Sequence, residues 1–258
     1  MLSFVFRRKI FRIQETAFCS LDELRIKNAD VAYLHSNESG KRDTSKGSIM
    51  QNQYTLATAL SQSEDELLAS IKKNCKYEIR RSEKEGAVDN IYCGSEIPDD
   101  VISRFEKTYN QMFATKGLAG YTFNRDLVME AKKANSLVVS CCTNIDGENE
   151  VFHAYLGDGV NCVLMYSASP LWNDNEKDKA KQIGMMNKYL HWRDIVYFKK
   201  NGYRVYEWGG ISNPEQPNGI DKFKMEFGGK IVQYNNYIIP KTPLGYLYTY
   251  LVRRRNNA

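Results

Sequence analysis

Residues 136–169, SLVVSCCTNIDGENEVFHAYLGDGVNCVLMYSAS, decide the fold class of this chain. Three runs in this stretch, Ser136–Thr143, Glu150–Asp158 and Asn161–Ser169, are rich in β-branched and aromatic residues. The turns between them contain Asp146-Gly147 and Asp158-Gly159, and Asp-Gly between two such runs is typical of a β-hairpin. The stretch therefore predicts three neighbouring antiparallel strands.

Helices alternate with strands on both sides of this stretch. The sequence predicts a strand over Asp89–Cys93, helices over Pro98–Thr115, Asn124–Lys133 and up to Lys200, a strand over Tyr203–Ile211, a helix over Gly219–Phe227, a strand over Lys230–Ile239 and a helix over Leu244–Arg255. From residue 89 onward the order is β-α-α-β-β-β-α-β-α-β. That order predicts an α/β or α+β fold, in which helices flank one continuous mixed sheet. We expect the sheet to be splayed near strand 161–169.

The residues before 89 are harder to interpret. Short strands are expected at Phe11–Ile13, Val31–Leu34 and Gln53–Leu60. One long helix is expected over Glu64–Lys84, because Ser63 and Glu66 form a capping-box pattern at its start.

Composition limits the class of protein. The chain has 258 residues, 42% hydrophobic and 26% charged, which excludes a wholly disordered chain, a collagen-like chain and a disulfide-stapled miniprotein. Its net charge of +5 permits an anionic ligand. The six cysteines include no CxxC pair, so we expect reduced thiols, no metal and a cytoplasmic location. No apolar stretch approaches the roughly 20 residues of a membrane span.

Three motifs carry a resemblance to a known family. They are residues 74–86, NCKYEIRRSEKEG; residues 187–192, NKYLHW, followed by YEWGG at 206–210; and residues 219–229, GIDKFKMEFGG. In this order and at these intervals they resemble the FemAB-type branch of the GNAT acyltransferase superfamily. The resemblance covers about residues 54–240. Glu207 stands where the family often has Asp.

The resemblance implies a fold and a function. The fold is a GNAT-like lobe over residues 89–258, preceded by a shortened, partial N-terminal lobe over residues 1–88. The function is transfer of an acyl or aminoacyl group to an amine of a cell-envelope precursor, either an amino sugar or a peptide. The shortened lobe favours acyl-CoA as the donor. The alternative is an aminoacyl-tRNA-dependent peptidoglycan bridge ligase, with tRNA as partner.

Three side chains are candidates for the chemistry. The resemblance implies that Lys224 holds the donor and supports charge in the transition state, and its alternative role is that of a surface lysine. Glu207, next to Gly209-Gly210, could accept a proton from the attacking amine or pair with Lys224. His153 lies on a predicted strand face and is either a base or a structurally satisfied histidine.

The resemblance implies that the donor binds next to the strand 161–169, with its phosphates at the start of the next helix. The helix that follows opens with Lys179, Lys181 and Gly184, and free N–H groups at a helix start favour phosphates. The alternative is a solvated loop, since Asp174, Glu176 and Asp178 dilute its charge. Tyr166 is a candidate for hydrogen bonding an acyl oxygen, and Phe223 would anchor the Lys224 segment. His191 is interpreted as a packing residue.

Two other classes of protein stay open. A nucleic-acid-binding module would use the basic cluster Lys72–Arg81 and the arginines at 253–255, although Glu78 interrupts the cluster and no RNA-binding motif accompanies it. A catalytically inactive scaffold with a GNAT shape is the third class. The intact Lys224 and the two Gly-Gly pairs argue against it.

Overall fold

A computed structural model describes residues 1–36, 39, 45–118, 121–148, 150–170 and 177–256. The strands are β1 (Leu2–Arg8), β2 (Phe11–Cys19), β3 (Val31–Ser36), β4 (Ile49–Ala59), β5 (Val88–Cys93), β6 (Leu137–Thr143), β7 (Val151–Gly157), β8 (Asn161–Ala168), β9 (Val205–Glu207) and β10 (Lys230–Pro240). The α-helices are α1 (Glu64–Ser70), α2 (Lys73–Lys84), α3 (Asp99–Thr115), α4 (Arg125–Lys133), α5 (Lys177–Lys200), α6 (Gly219–Met225) and α7 (Pro243–Asn256). Within these residues, no helix has the length and apolar character to cross a membrane.

The strands form one continuous mixed sheet, as predicted. Its ten strands follow the order β1-β2-β3-β10-β4-β9-β8-β7-β6-β5. The pairs β2/β3 and β8/β9 are parallel, and the other neighbours are antiparallel. The hairpins β6/β7 and β7/β8 are those that the Asp-Gly turns predict.

Both faces of the sheet are covered by helices. Strand β7 is buried along its whole length. Phe152 and Ala154 pack with α3 and α4 on one face, whereas Val151 and Tyr155 pack with α2 and α5 on the other. This alternation is the period of two that a strand imposes. Cys141 and Cys142 likewise belong to opposite cores, and all six cysteines are free thiols.

Strands β8 and β9 are paired over a short length and then separate. It contains three residue pairs, from Asn161–Val205 to Val163–Glu207. Beyond that point β8 continues to Ala168, while the chain after Glu207 turns away at Gly209, whose φ is +66°. A splay at this strand was expected, and this divergence confirms it.

Two predicted elements differ in number or length from those observed, and one observed strand lacks a prediction. The predicted helix over Glu64–Lys84 is two helices, because Ile71 is extended and the Lys72 N–H donates to the Glu226 carbonyl instead of continuing the helix. The predicted strand over Tyr203–Ile211 keeps only three residues, because the left-handed glycines at 209 and 210 end it. Strand β1 was not predicted, although its residues alternate between the core and solvent.

The division into residues 1–88 and 89–258 stays a prediction. Strand β10 lies between β3 and β4, so the same sheet includes strands from both ranges. Helix α7 packs against β10 and against β2 and β3.

We expect Gly209→Ala to destabilise the protein more than Gly210→Ala. Both glycines have positive φ, which costs an alanine about 1 kcal/mol. A Cβ at 209 would also overlap the Leu164 carbonyl oxygen, whereas a Cβ at 210 meets nothing within 4 Å. The overlap should add about 1–3 kcal/mol. Denaturant unfolding of both variants measures the difference, and equal stabilities would show that the strand divergence tolerates a side chain at 209.

Candidate active site

Two adjoining cavities occupy the divergence of β8 and β9. The first, here called the Lys224 cavity, measures about 420 Å³ and extends between α3, α5 and α6. The second, here called the Glu207 cavity, measures about 360 Å³ and is bordered by β2, β3 and β10. Both are lined by residues 164–166 of β8 and by Gly209. The two cavities therefore share part of their walls where the sheet separates.

Helix α6 places Lys224 in the first cavity. Asn218 caps this helix in a reciprocal capping box with Asp221. One turn apart, Phe223 and Phe227 pack into the core around Trp208 and His191. From this fixed base the Lys224 Nζ donates to the carbonyl oxygens of Gly209 at 2.9 Å and Gly210 at 2.7 Å. Two of its three N–H groups are thus used, and the third has no partner among the described residues.

Burial and neighbouring carboxylates have opposite effects on the pKa of Lys224. Burial lowers its pKa to about 8, although the carboxylates of Asp221 and Glu207 act in the opposite direction. Near neutral pH the amine is therefore mostly protonated and can still release its proton. Such a group can stabilise a developing oxyanion or donate a proton to a leaving atom.

The Lys224 cavity favours neutral or anionic groups. Its described lining includes two lysines, Lys116 and Lys224, and no carboxylate. Ser167, Ser169 and Asn187 add polar groups, while Trp208 and Phe223 supply apolar surface. This combination suits a carbonyl group on a partly apolar chain.

The Glu207 cavity has the opposite character. Glu207 and Glu15 both line it, and burial raises the pKa of Glu207. His35 bridges the site, with Nε2 2.6 Å from a Glu15 oxygen and Nδ1 3.0 Å from Asn236 Oδ1. Burial opposes charge on His35, but the Glu15 carboxylate outweighs it and raises the pKa of the imidazole. Carboxylates in this arrangement favour a cationic or amine-bearing ligand.

His153 lies behind the cavities and lines neither of them. It is fully buried, with Nδ1 2.7 Å from Asp194 Oδ2 and Nε2 2.7 Å from Asn187 Oδ1. Its ring stacks on His191 at a centroid distance of 3.8 Å. His191 lines the Lys224 cavity, which its interpretation as a packing residue missed. The spacing of Asn187 and His191, four residues apart on α5, was the signal that both face the same site.

The structure separates the predicted donor residues into two groups. Tyr166 lines both cavities, and Phe223 lines the Lys224 cavity. Lys179, Lys181 and Gly184 are exposed on the first turns of α5, away from the lining of either cavity. Residues 174 and 176 of the alternative loop lie outside the described residues. Phosphate binding at this helix start stays a prediction.

One buried cluster bears on the expectation of no metal. His153, His191 and Asp194 each offer a ligand atom, and these atoms lie within 4.8 Å of one another. Both ring nitrogens of His153 are already engaged in hydrogen bonds to protein groups. The expectation stays a prediction.

Comparison with solved structures finds this fold at low sequence identity. The crystal structure of FemX gives a TM-score of 0.57 at 14% identity, covering 84% of this chain and 68% of FemX. The C-terminal domain of a putative lysylphosphatidylglycerol synthetase from Agrobacterium fabrum gives a TM-score of 0.52 at 10% identity, covering 95% and 82%. L-PGS from Bacillus licheniformis gives 0.50 at 12% identity, covering 86% and 72%.

The likeness to these structures is one of fold. No protein-family profile matches the chain, and a search of curated proteins returns no match. The predicted mixed sheet flanked by helices is confirmed.

We expect the Lys224 amine to titrate near pH 8, because burial lowers its pKa to about 8, well below that of an ordinary lysine. Its acylation by a small anhydride, followed by mass spectrometry at increasing pH, should show a midpoint near this value. Glu207→Gln removes a carboxylate that raises the pKa of Lys224, so the midpoint should move lower still. Lys222, exposed on the same helix, serves as the reference for reagent reactivity. A Lys224 midpoint near 10 would contradict the expectation.

Proposed function

We propose that this protein is an N-acyltransferase that transfers an acyl or aminoacyl group to the amine of a small molecule or cell-envelope precursor. One observation carries the proposal: a lysine-bearing cavity and a carboxylate-bearing cavity adjoin each other at the divergence of β8 and β9. Transfer to an amine needs an electrophilic carbonyl and a basic environment for the nucleophile at one place. The two cavities supply these two environments from different directions.

In this proposal the donor occupies the Lys224 cavity. Its carbonyl lies near the cleft, where the ammonium of Lys224 stabilises negative charge on the carbonyl oxygen during attack. Lys224 is held by two backbone carbonyls, so little reorganisation is needed when that charge develops. The likeness in fold to FemX and to L-PGS supports a transferase, and so do the three sequence motifs.

The acceptor amine enters through the Glu207 cavity. An amine arrives mostly as an ammonium ion and must lose one proton before it can attack. Glu207 is suited to take that proton, because burial raises the pKa of its carboxyl group. The Glu15–His35 pair and Asn236 then remain to hold the rest of the acceptor.

Acyl-CoA is the proposed donor, and aminoacyl-tRNA is the alternative. Thermal-shift measurements with acetyl-CoA, longer acyl-CoAs and charged tRNA distinguish them, because a ligand of the native state raises the apparent stability. Transfer is then measured with the donor that binds, using an amino sugar and a short peptide as acceptors. A protein that binds no donor and transfers no acyl group would contradict the proposal.

We expect Lys224→Met to lower turnover by about 100- to 1000-fold with little change in donor affinity, if the ammonium acts mainly in the transition state. Lys222→Met is the matched control, since Lys222 is exposed on the same helix. Steady-state kinetics and donor titration measure the two effects separately. Wild-type turnover in the Lys224→Met protein would show that Lys224 has no catalytic role.

Charge reversal tests the donor phosphates. Lys179→Glu with Lys181→Glu should weaken donor binding at the start of α5, and more strongly at low salt, because screening reduces charge effects at high salt. Lys73→Glu with Lys84→Glu makes the same change in charge at exposed positions on α2. Equal affinities for the two double variants would show that the phosphates bind elsewhere.

A further inference from the structure

A chain of buried hydrogen bonds connects the carboxylate of Asp194 to the imidazole of His191. The Tyr155 hydroxyl lies 2.6 Å from Asp194 Oδ2 and 2.7 Å from the Tyr206 hydroxyl. The Tyr206 hydroxyl lies 2.9 Å from His191 Nδ1. All four side chains are at least 98% buried. The proposed function assigns no task to this chain.

The carboxylate of Asp194 determines which group is the donor in each hydrogen bond of the chain. A tyrosine has one hydroxyl hydrogen, and Tyr155 donates its hydrogen to Asp194. The Tyr155 oxygen must therefore accept the hydrogen of Tyr206. The Tyr206 oxygen is then left to accept from His191, which requires a proton on His191 Nδ1.

With the proton of the neutral ring on Nδ1, His191 Nε2 carries no hydrogen and can accept one. Nε2 has no hydrogen-bond partner among the described residues, and His191 lines the Lys224 cavity. The groups that face the ring from neighbouring elements are Tyr206, His153 and Lys224. Burial, followed by the charges of His153 and Lys224, lowers the pKa of His191, so the ring is neutral near pH 7.

We propose that His191 is a catalytic base of the acyl transfer, held as its Nδ1–H tautomer by Tyr206, Tyr155 and Asp194 so that Nε2 accepts the proton of the attacking amine. This inference rests on the proposed function. Tyr206 and Tyr155 act through His191 and are positioning residues.

The proton balance of the step is complete. The neutral amine nitrogen bonds to the acyl carbon, and the carbon–oxygen or carbon–sulfur bond to the donor breaks. The amine proton passes to Nε2 and then to the leaving oxygen or sulfur, so His191 returns to its starting form. Nδ1 keeps its proton throughout. An imidazole with a lowered pKa favours the second transfer, because its protonated form is a stronger acid.

Glu207 and His191 accept different protons in this scheme. Glu207 takes the proton that makes the arriving ammonium neutral, on the side of the Glu207 cavity. His191 takes the proton that the nitrogen loses as the amide forms, on the side of the Lys224 cavity.

The tautomer can be measured without knowing the substrate. The chain has three histidines, so ¹⁵N-edited NMR of the side chains resolves them, and single substitutions assign them. We expect a protonated Nδ1 and an unprotonated Nε2 for His191 at pH 7. Tyr206→Phe should remove this preference and give a mixture of tautomers, and Tyr155→Phe should weaken it. A proton on Nε2 in the wild-type protein, or a doubly protonated ring, would overturn the inference.

Kinetics test the role of the base. His191→Asn should lower kcat by about 100-fold or more with little change in the donor KM. Trp192→Phe, the neighbouring position on α5, is the control for changes in packing. If His191→Asn unfolds, Tyr155→Phe keeps the ring and should lower kcat as it weakens the tautomer preference. A His191→Asn enzyme with wild-type kcat would overturn the inference while leaving the proposed function intact. Absence of transfer by the wild-type protein would contradict the proposed function, whatever the tautomer.

Discussion

The close approach of Gly209 to the Leu164 carbonyl is the constraint on which the rest of the site depends. Hydrogen bonding between β8 and β9 stops after Val163 and Glu207, and the left-handed turn at Gly209 carries one strand away from the other. The carbonyl groups exposed by this turn are the ones that bind Lys224. The separation of two strands, the shape of two cavities and the position of one lysine thus follow from a single backbone feature.

Consecutive side chains at β9 point to opposite sides of the sheet. Tyr206 and Trp208 enter the core beneath α5, whereas Glu207 between them lines the cavity bordered by β2, β3 and β10. The tyrosine that hydrogen-bonds to His191 and the carboxylate of Glu207 are therefore consecutive residues of one three-residue strand.

The sequence predicts the fold well from local patterns and the site less completely. Hairpin turns and helical periodicity located β6 to β8 and α3 to α6, because these signals are contained within short stretches. The break at Ile71 could not be foreseen, since it depends on a hydrogen bond between Lys72 and Glu226, which are distant in sequence. The surroundings of His153 and His191 could not be foreseen for the same reason: they depend on Asp194 and Tyr206, which only the folded chain brings near. Motif resemblance indicated Lys224 and Glu207 because they lie within short contiguous segments.

The position of β10 has a consequence for how the chain folds. Strands β3 and β4 both pair with β10, which is synthesised only after β5 to β9 and the helices between them. Until β10 emerges, the facing edges of β3 and β4 have no native partner, and unpaired edges are sites of wrong pairing between chains. Contacts between segments so far apart in sequence also slow folding, because a long loop must close before they form. The native centre of the sheet therefore cannot form before β10 has been synthesised, and until then the chain must avoid aggregation.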